Sequence, residues 1–424
     1  MRIKITNGRI IDPANNIDKK GDLLIENGNI FSVIKKVQKF KADKIIEAEG
    51  QVVCPGIVDL SAHLREPGQR HNATIASETT AAASGGVTSI CCPPDTHPVI
   101  DTPAVVELIH QRAKSPRKAR VFPLGAMTQS LQGEKLAEMW ALSKAGCIGV
   151  SNAQLPIVNT EVLRRALEYA ATFGLTTHIF CSDSYLSNNG VAHEGAVSTR
   201  MGLPAIPETA ETIAISRVLL LVEQINARVH FCRLSCMRSV ELVKNAKAQG
   251  LPVTADVSIA NLHLTENDLC NFNNNCHLVP PLRNLRDKES LLAGLVNGTI
   301  DAICSNHQPH DEDAKSAPFS LTEPGASLIE TLLPLSLHLV GKKSFTISRA
   351  IAALTIQPAK IAGIDAGTLN PGAPADVCIF DPETTWTLVP DKIISAGKNT
   401  PFKGWELTGK VTHTILGGRI VYTA

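Results

Sequence analysis

A chain of 424 residues with 44% hydrophobic content can bury more core than one small domain needs, so one large domain with a smaller one is the natural division. Its 41 basic and 40 acidic residues leave a formal charge of +1, with no long basic run or aromatic-basic interleaving, which argues against a nucleic-acid surface. No apolar stretch reaches membrane-spanning length, and the start Met1-Arg2-Ile3-Lys4-Ile5 alternates like a strand, unlike a secretory signal; a cytoplasmic protein is expected.

Residues 1–52 read as short strands with turns at Asn7-Gly8 and Asn27-Gly28. The run Lys35, Lys36, Lys39, Lys41 and Lys44 reads as a solvated face of that region. Beyond it, β-rich runs at 53–62, 87–92, 120–126, 147–151, 175–181, 229–234, 252–258 and 302–305 alternate with helical spacing, as at 159–172 and 238–249. Eight such units predict an α/β fold, a parallel (β/α)8 barrel of the TIM type over residues 53–367. An open doubly wound sheet would need a phosphate-cradling glycine motif after its first strand, and His63-Leu64-Arg65-Glu66-Pro67-Gly68 is not one. Residues 368–424 return to short strands with turns at Asn370-Pro371-Gly372 and Gly417-Gly418, so 1–52 and 368–424 are expected to form one composite β-domain. The 11 cysteines are odd in number and lack C-x-x-C spacing, and Cys54, Cys91, Cys92, Cys232 and Cys304 sit in apolar runs; they read as buried, reduced thiols.

The segment Asp59-Leu60-Ser61-Ala62-His63-Leu64-Arg65-Glu66-Pro67-Gly68 resembles the Asp-x-His-x-His-x-x-x-Pro-Gly signature of the dihydroorotase branch of the cyclic amidohydrolases, with Ser61 in place of the first histidine. Segments 369–377 and 399–404 are also similar to that family, so the resemblance runs essentially end to end. It implies an amidohydrolase barrel in which two zinc ions, held by histidines and carboxylates at the strand ends, activate a water that attacks a cyclic amide.

At five positions where the family places a ligand or its catalytic acid, this chain departs from it. Ser61 and His63 stand for the first histidine pair, and the lone His63 reads as a hydrogen-bonded core residue. Asn152, in Ser151-Asn152-Ala153-Gln154, replaces a bridging carboxylate, and Phe180 replaces the fifth-strand histidine. His178 shares the face of Phe180 but lies about 6.6 Å deeper along the strand, too deep to substitute. Arg233, in His230-Phe231-Cys232-Arg233-Leu234-Ser235, replaces the second metal histidine, and an inward guanidinium there excludes zinc. Asn306, in Ser305-Asn306-His307-Gln308-Pro309-His310, replaces the catalytic aspartate and cannot accept a proton at neutral pH. A carboxylate buried without its cation is costly, so a site that has lost zinc should neutralise its acids, as Asn152 and Asn306 do.

On the substrate side, Arg65 matches the arginine that holds the substrate carboxylate, Asp95 replaces its partner asparagine, and the two are expected to pair with each other. His307 belongs with them as a remnant of the substrate pocket. Val279 and the stretch 259–262 depart from the family's pattern as well. The acidic stretch Asp311-Glu312-Asp313-Ala314-Lys315 reads as a solvated loop, or else as a partner-binding one.

The resemblance thus implies a catalytically inactive dihydroorotase-like protein of pyrimidine biosynthesis, without zinc, in a homo- or hetero-oligomer. Inactive paralogues of that family are partners of aspartate transcarbamoylase, and that enzyme is the expected partner here. Two other readings are an active cyclic-amide hydrolase, with one metal on His63, His230 and a cysteine such as Cys232, and a metal-free sensor that binds a small anion through Arg65.

Overall fold

The computed structural model describes residues 1–34 and 40–424. The barrel strands, in chain order, are Ile57–Asp59, Val87–Cys92, Arg120–Pro123 with its continuation Gly125–Ala126, Gly149–Ser151, Thr176–Phe180, Val229–Cys232, Val253–Ser258 and Ala302–Cys304. Neighbours in sequence pair in parallel. The circle closes between the first and eighth strands through a parallel bridge of Ala62 with His307. There the His63 N–H donates to the His307 carbonyl (2.8 Å) and the His307 N–H to the Ser61 carbonyl (3.1 Å). All residues of Val87–Cys92 are buried, the continuous apolar pattern of a strand covered on both faces.

The predicted helix at 159–172 forms as Thr160–Thr172, capped by Asn159, whose side-chain oxygen accepts from the Glu161 and Val162 N–H groups. Its buried residues Leu163, Ala166, Leu167 and Ala170 recur at helical spacing and pack on the barrel. The helix expected at 238–249 runs from Met237 to Ala248.

The expected first strand, 53–62, is two strands. Val52–Pro55 pairs with Arg2–Asp12 and with Val377–Thr387 in the terminal sheet, whereas Ile57–Asp59 enters the barrel. The break falls at Gly56, where a Cβ would lie 2.2 Å from the Thr88 Oγ1, so the chain can change sheets there only without a side chain. A division at residue 53 would therefore cut a strand of the terminal sheet.

That sheet has eight strands drawn from both ends, in the order Arg419–Thr423, Glu406–Leu416, Val377–Thr387, Val52–Pro55, Arg2–Asp12, Ile17–Glu26 and Asn29–Ile34, with Lys44–Glu47 also on Arg2–Asp12. Asn27-Gly28 makes its hairpin with both residues at positive φ. Asn7-Gly8 is not a turn. It is a bulge within Arg2–Asp12, where Asn7 takes φ 60° and donates its N–H to Asp22 Oδ1 at 3.2 Å. Of the lysine run, Lys35, Lys36 and Lys39 lie outside the described residues, and Lys41 and Lys44 are exposed. Among the described residues no helix is long and apolar enough to cross a membrane.

Candidate functional site

Three of the replaced positions meet at the C-terminal mouth of the barrel. The sixth strand ends at Cys232, and Arg233 then adopts φ 56°, held there by its N–H, which donates to Asp256 Oδ1. The turn sends the side chain inward. Its Nη1 donates to Ser61 Oγ at 2.8 Å, and its Cζ lies 4.9 Å from the centroid of the Phe180 ring. Arg233 is only 5% exposed. Serine, phenylalanine and arginine thus form one interlocked contact: the hydroxyl accepts from the guanidinium, and the ring faces its charge.

The two asparagines use functions that a carboxylate lacks. Asn152 Nδ2 donates to the carbonyls of Leu155 (2.8 Å) and Leu131 (3.2 Å), while its Oδ1 accepts from Thr128 Oγ1 at 2.7 Å. Asn306, at φ 51°, donates to the Val279 carbonyl at 3.0 Å and accepts from Gln308. Both amides tie loops together around the mouth.

Arg65 and Asp95 do not bond to each other as expected. Asp95 Oδ2 lies 3.0 Å from His63 Nε2; burial alone would raise its carboxyl, but His63 outweighs this and holds it at about 2. Arg65 instead donates to the Pro309 carbonyl (3.0 Å) and Gln69 (3.1 Å), and lies 2.9 Å from His310 Nε2. The family's substrate-carboxylate arginine is thereby committed to the loop after the eighth strand. His307, expected in the pocket, is fully buried in the closing seam of the barrel. Its Nε2 meets Glu78 Oε2 at 2.7 Å, and its Nδ1 accepts from the Leu328 N–H at 3.0 Å. Burial alone would raise the Glu78 carboxyl; His307 and Ser395 hold it below its ordinary value. In the loop that follows, Asp311, Glu312 and Asp313 are exposed.

Sequence reasoning passed over Asp256, on the seventh strand. It is fully buried, accepts from the Arg233 N–H and lies 3.0 Å from His230 Nε2. Burial pushes its carboxyl up, but His230 and Arg233 prevail and hold it low. The signal was there, since Asp256 is a lone acid inside the apolar run 252–258. Asp59 is buried too, and burial pushes its carboxyl up to about 6 although it accepts from Ser305 and Ser61.

Beneath the arginine, donor atoms of His178, His230 and Cys232 lie within 4.8 Å of one another, the one such group among the described residues. Both ring nitrogens of His230 are engaged, Nδ1 by Thr254 Oγ1 (2.9 Å) and Nε2 by Asp256. Burial pushes the half-buried Cys232 thiol up, away from the thiolate a metal needs. The His63, His230 and Cys232 set weighed in the sequence is not brought together, since His63 faces Asp95. All the cysteines are free.

The space left between Ser61, His63, His178 and Arg233 is about 10 Å³, room for one water-sized particle and far less than the hundreds of Å³ of a substrate pocket. A cavity of about 330 Å³ opens beside it, walled in part by Phe180, Glu211, Val279 and Arg283. Buried Arg283 has its donors engaged there, by Ser235 Oγ (3.0 Å), the Ile206 carbonyl (2.9 Å) and His193 Nδ1 (3.0 Å).

A dihydro-orotase-like family model matches residues 50–239, and an amidohydrolase family model matches residues 329–422. A dihydroorotase-like protein of Pseudomonas aeruginosa is 46% identical over 422 residues, covering 100% of both chains. A protein named dihydroorotase from Geobacter sp. is 41% identical, again over 100% of both chains. Among solved structures, the L-hydantoinase (dihydropyrimidinase) of Arthrobacter aurescens superposes with a TM-score of 0.90 at 23% identity, covering 99% of this chain and 96% of that one. At that identity the likeness speaks for the barrel fold alone.

Proposed function

This chain belongs to the dihydroorotase family, and we propose that within it the protein is a non-catalytic member that serves pyrimidine biosynthesis as a structural or regulatory partner of aspartate transcarbamoylase. One observation carries the non-catalytic part: Arg233 lies between Ser61 and Phe180, so that three former ligand positions fill the mouth with a cation, a hydroxyl and a ring. Two unit charges 4 Å apart at an effective dielectric of 20 interact by about 4 kcal/mol, so a dication beside this guanidinium faces about twice that repulsion. The donors left at the level of the mouth do not fit a zinc pair, because the one imidazole there, His63, already faces Asp95. No water-activating step is available without the metal, and Asn306 supplies no base.

The partner assignment rests on the family resemblance. Helix Glu208–Ile225 leaves Ile213 (50% exposed) and Leu220 (69% exposed) two turns apart on one face, an apolar surface suited to being covered. Co-expression with the aspartate transcarbamoylase of the same source, followed by size-exclusion chromatography with light scattering, tests this part. Co-elution is expected, and separate elution at micromolar concentrations would count decisively against it.

A second reading, an active hydrolase with a rebuilt centre, is favoured by the relatives named dihydroorotase at 41% and 42% identity and by the proximity of His178, His230 and Cys232. Elemental analysis of the purified protein separates the two. Stoichiometric zinc that resists dialysis, with turnover of dihydroorotate, would establish the hydrolase and remove the non-catalytic reading.

A further inference from the structure

Arg233 carries a positive charge into the barrel with no carboxylate within 4 Å of its guanidinium among the described residues, since its side-chain partners are the Ser61 hydroxyl and the Phe180 ring. Asp256 feels this charge, but its carboxylate is engaged by His230 and the Arg233 N–H and forms no ion pair with the guanidinium. A buried charge without a contact counter-ion costs several kcal/mol, and neither a neutral hydroxyl nor a ring face supplies one. The surroundings repeat the imbalance. Arg233 Nε and Gln154 Nε2 are buried donors without a hydrogen-bond partner, and both residues border the void of about 10 Å³. The Ser61 hydroxyl accepts from Arg233 and keeps its own hydrogen to give. His178, 1% exposed, has neither ring nitrogen bonded, and its imidazole carries at least one N–H to donate. No carboxylate is among the residues that line the void.

His63 Nδ1, which borders the same void, and one ring nitrogen of His178 are the unpartnered acceptors there, so a water would meet more hydrogens than it could give away. A cation would meet the guanidinium. From this we infer that the void beneath Arg233 binds a monatomic anion, chloride under ordinary conditions, where active relatives of the fold hold cations. At about 10 Å³ the void suits a single small ion better than a polyatomic carboxylate, phosphate or bicarbonate. Among the bordering groups Arg233 supplies the charge, and Ser61, Gln154 and His178 supply neutral donors. The inference rests on the reading of Arg233 as a filler of the old metal level, and it deepens that reading by assigning the inverted site a ligand.

The test uses the whole protein. Unfolding midpoints are measured in sodium chloride, bromide and gluconate at fixed ionic strength, and crystals grown in bromide are examined at the bromine absorption edge. Expected are a midpoint that rises with chloride and bromide but not with gluconate, and an anomalous peak beside Arg233 Nε. Above its dissociation constant, each tenfold rise in halide should add about 1.4 kcal/mol of stability. Arg233→Met should abolish the halide dependence; Gln154→Leu, at a half-buried position, should weaken it and serves if the arginine variant does not fold. Identical curves in chloride and gluconate, or a water refined in the void of a bromide crystal, would overturn the inference. Zinc found at that position would instead bring down the non-catalytic reading, so the two failures are distinguishable.

Discussion

Asn152→Asp restores the acid that the family's pattern calls for, with almost no change in volume, and its effect on stability discriminates between a metal site and a filled one. The native amide donates to two carbonyls, of Leu155 at 2.8 Å and Leu131 at 3.2 Å, and the residue is 6% exposed. An ionised carboxylate loses both donations and sets an anion against both carbonyl oxygens. At about 1–3 kcal/mol for each of the two buried acceptors left without its donor, the penalty at neutral pH is about 2–6 kcal/mol. The pH dependence follows from the same contacts. Burial and the facing carbonyls raise the new carboxyl above its unfolded value of about 3.9. Between those two values the folded state holds the proton that the unfolded state has released, so stability falls as pH rises through the window and stays low above it. Below about pH 3.9 the acid is protonated in both states and can make one of the two donations, so most of the penalty disappears. Urea-unfolding midpoints at several pH values, with and without zinc chloride, measure this directly. An Asn152→Asp variant as stable as the native chain at pH 7, or one stabilised by zinc, would refute the argument, because it would mean that a cation is at hand to meet the acid.

Other outcomes follow from the same geometry. Returning Arg233 alone to histidine should not confer zinc binding, because Ser61, Phe180 and Asn152 still lack donors; combining Ser61→His, Asn152→Asp, Phe180→His, Arg233→His and Asn306→Asp should, as read by elemental analysis after dialysis. His307→Ala leaves Glu78 buried in the closing seam without its imidazole, and should cost about 3–5 kcal/mol in urea unfolding. The depressed carboxyl of Asp95 contributes stability that is complete above its ordinary value of 3.8 and lost as pH falls toward about 2. Asp95→Asn should therefore flatten the acid limb of the unfolding curve over that interval, and an unchanged acid limb would show that the pairing with His63 is not formed.

How much of this was legible beforehand depends on the range of the interactions involved. The barrel strands and the helix Thr160–Thr172 are written in local periodicity and capping, and they lie within a few residues of where the pattern puts them. The replaced residues were legible individually, because a motif names each position. Their mutual contact was not: Arg233 reaches Ser61 only because a left-handed turn and the Asp256 carboxylate direct it inward, and Asp256 lies 23 residues further along the chain. Arg65 and His307 were misplaced for the same reason, since apart from Gln69 their partners are far along the chain: Pro309 and His310 follow the eighth strand, and Glu78 lies in the helix Ile75–Ser84. The split at Gly56 depends on the position of Thr88 in the next strand, which no local pattern reports.

The barrel's seam also bears on the order in which the molecule can assemble during synthesis. Glu78, which holds His307, also accepts from the Ser395 hydroxyl and the Ala396 N–H, and Asn399 bonds the carbonyls of Gln308 and Gly325. The staves are therefore braced by residues made well after the eighth strand, and Val52–Pro55 waits for Val377–Thr387 on its open edge. A chain halted before residue 395 would hold every stave and the Ala62–His307 bridge, yet Glu78 would lack its partners Ser395 and Ala396, so the seam gains its full bracing only when the segment beyond the barrel docks.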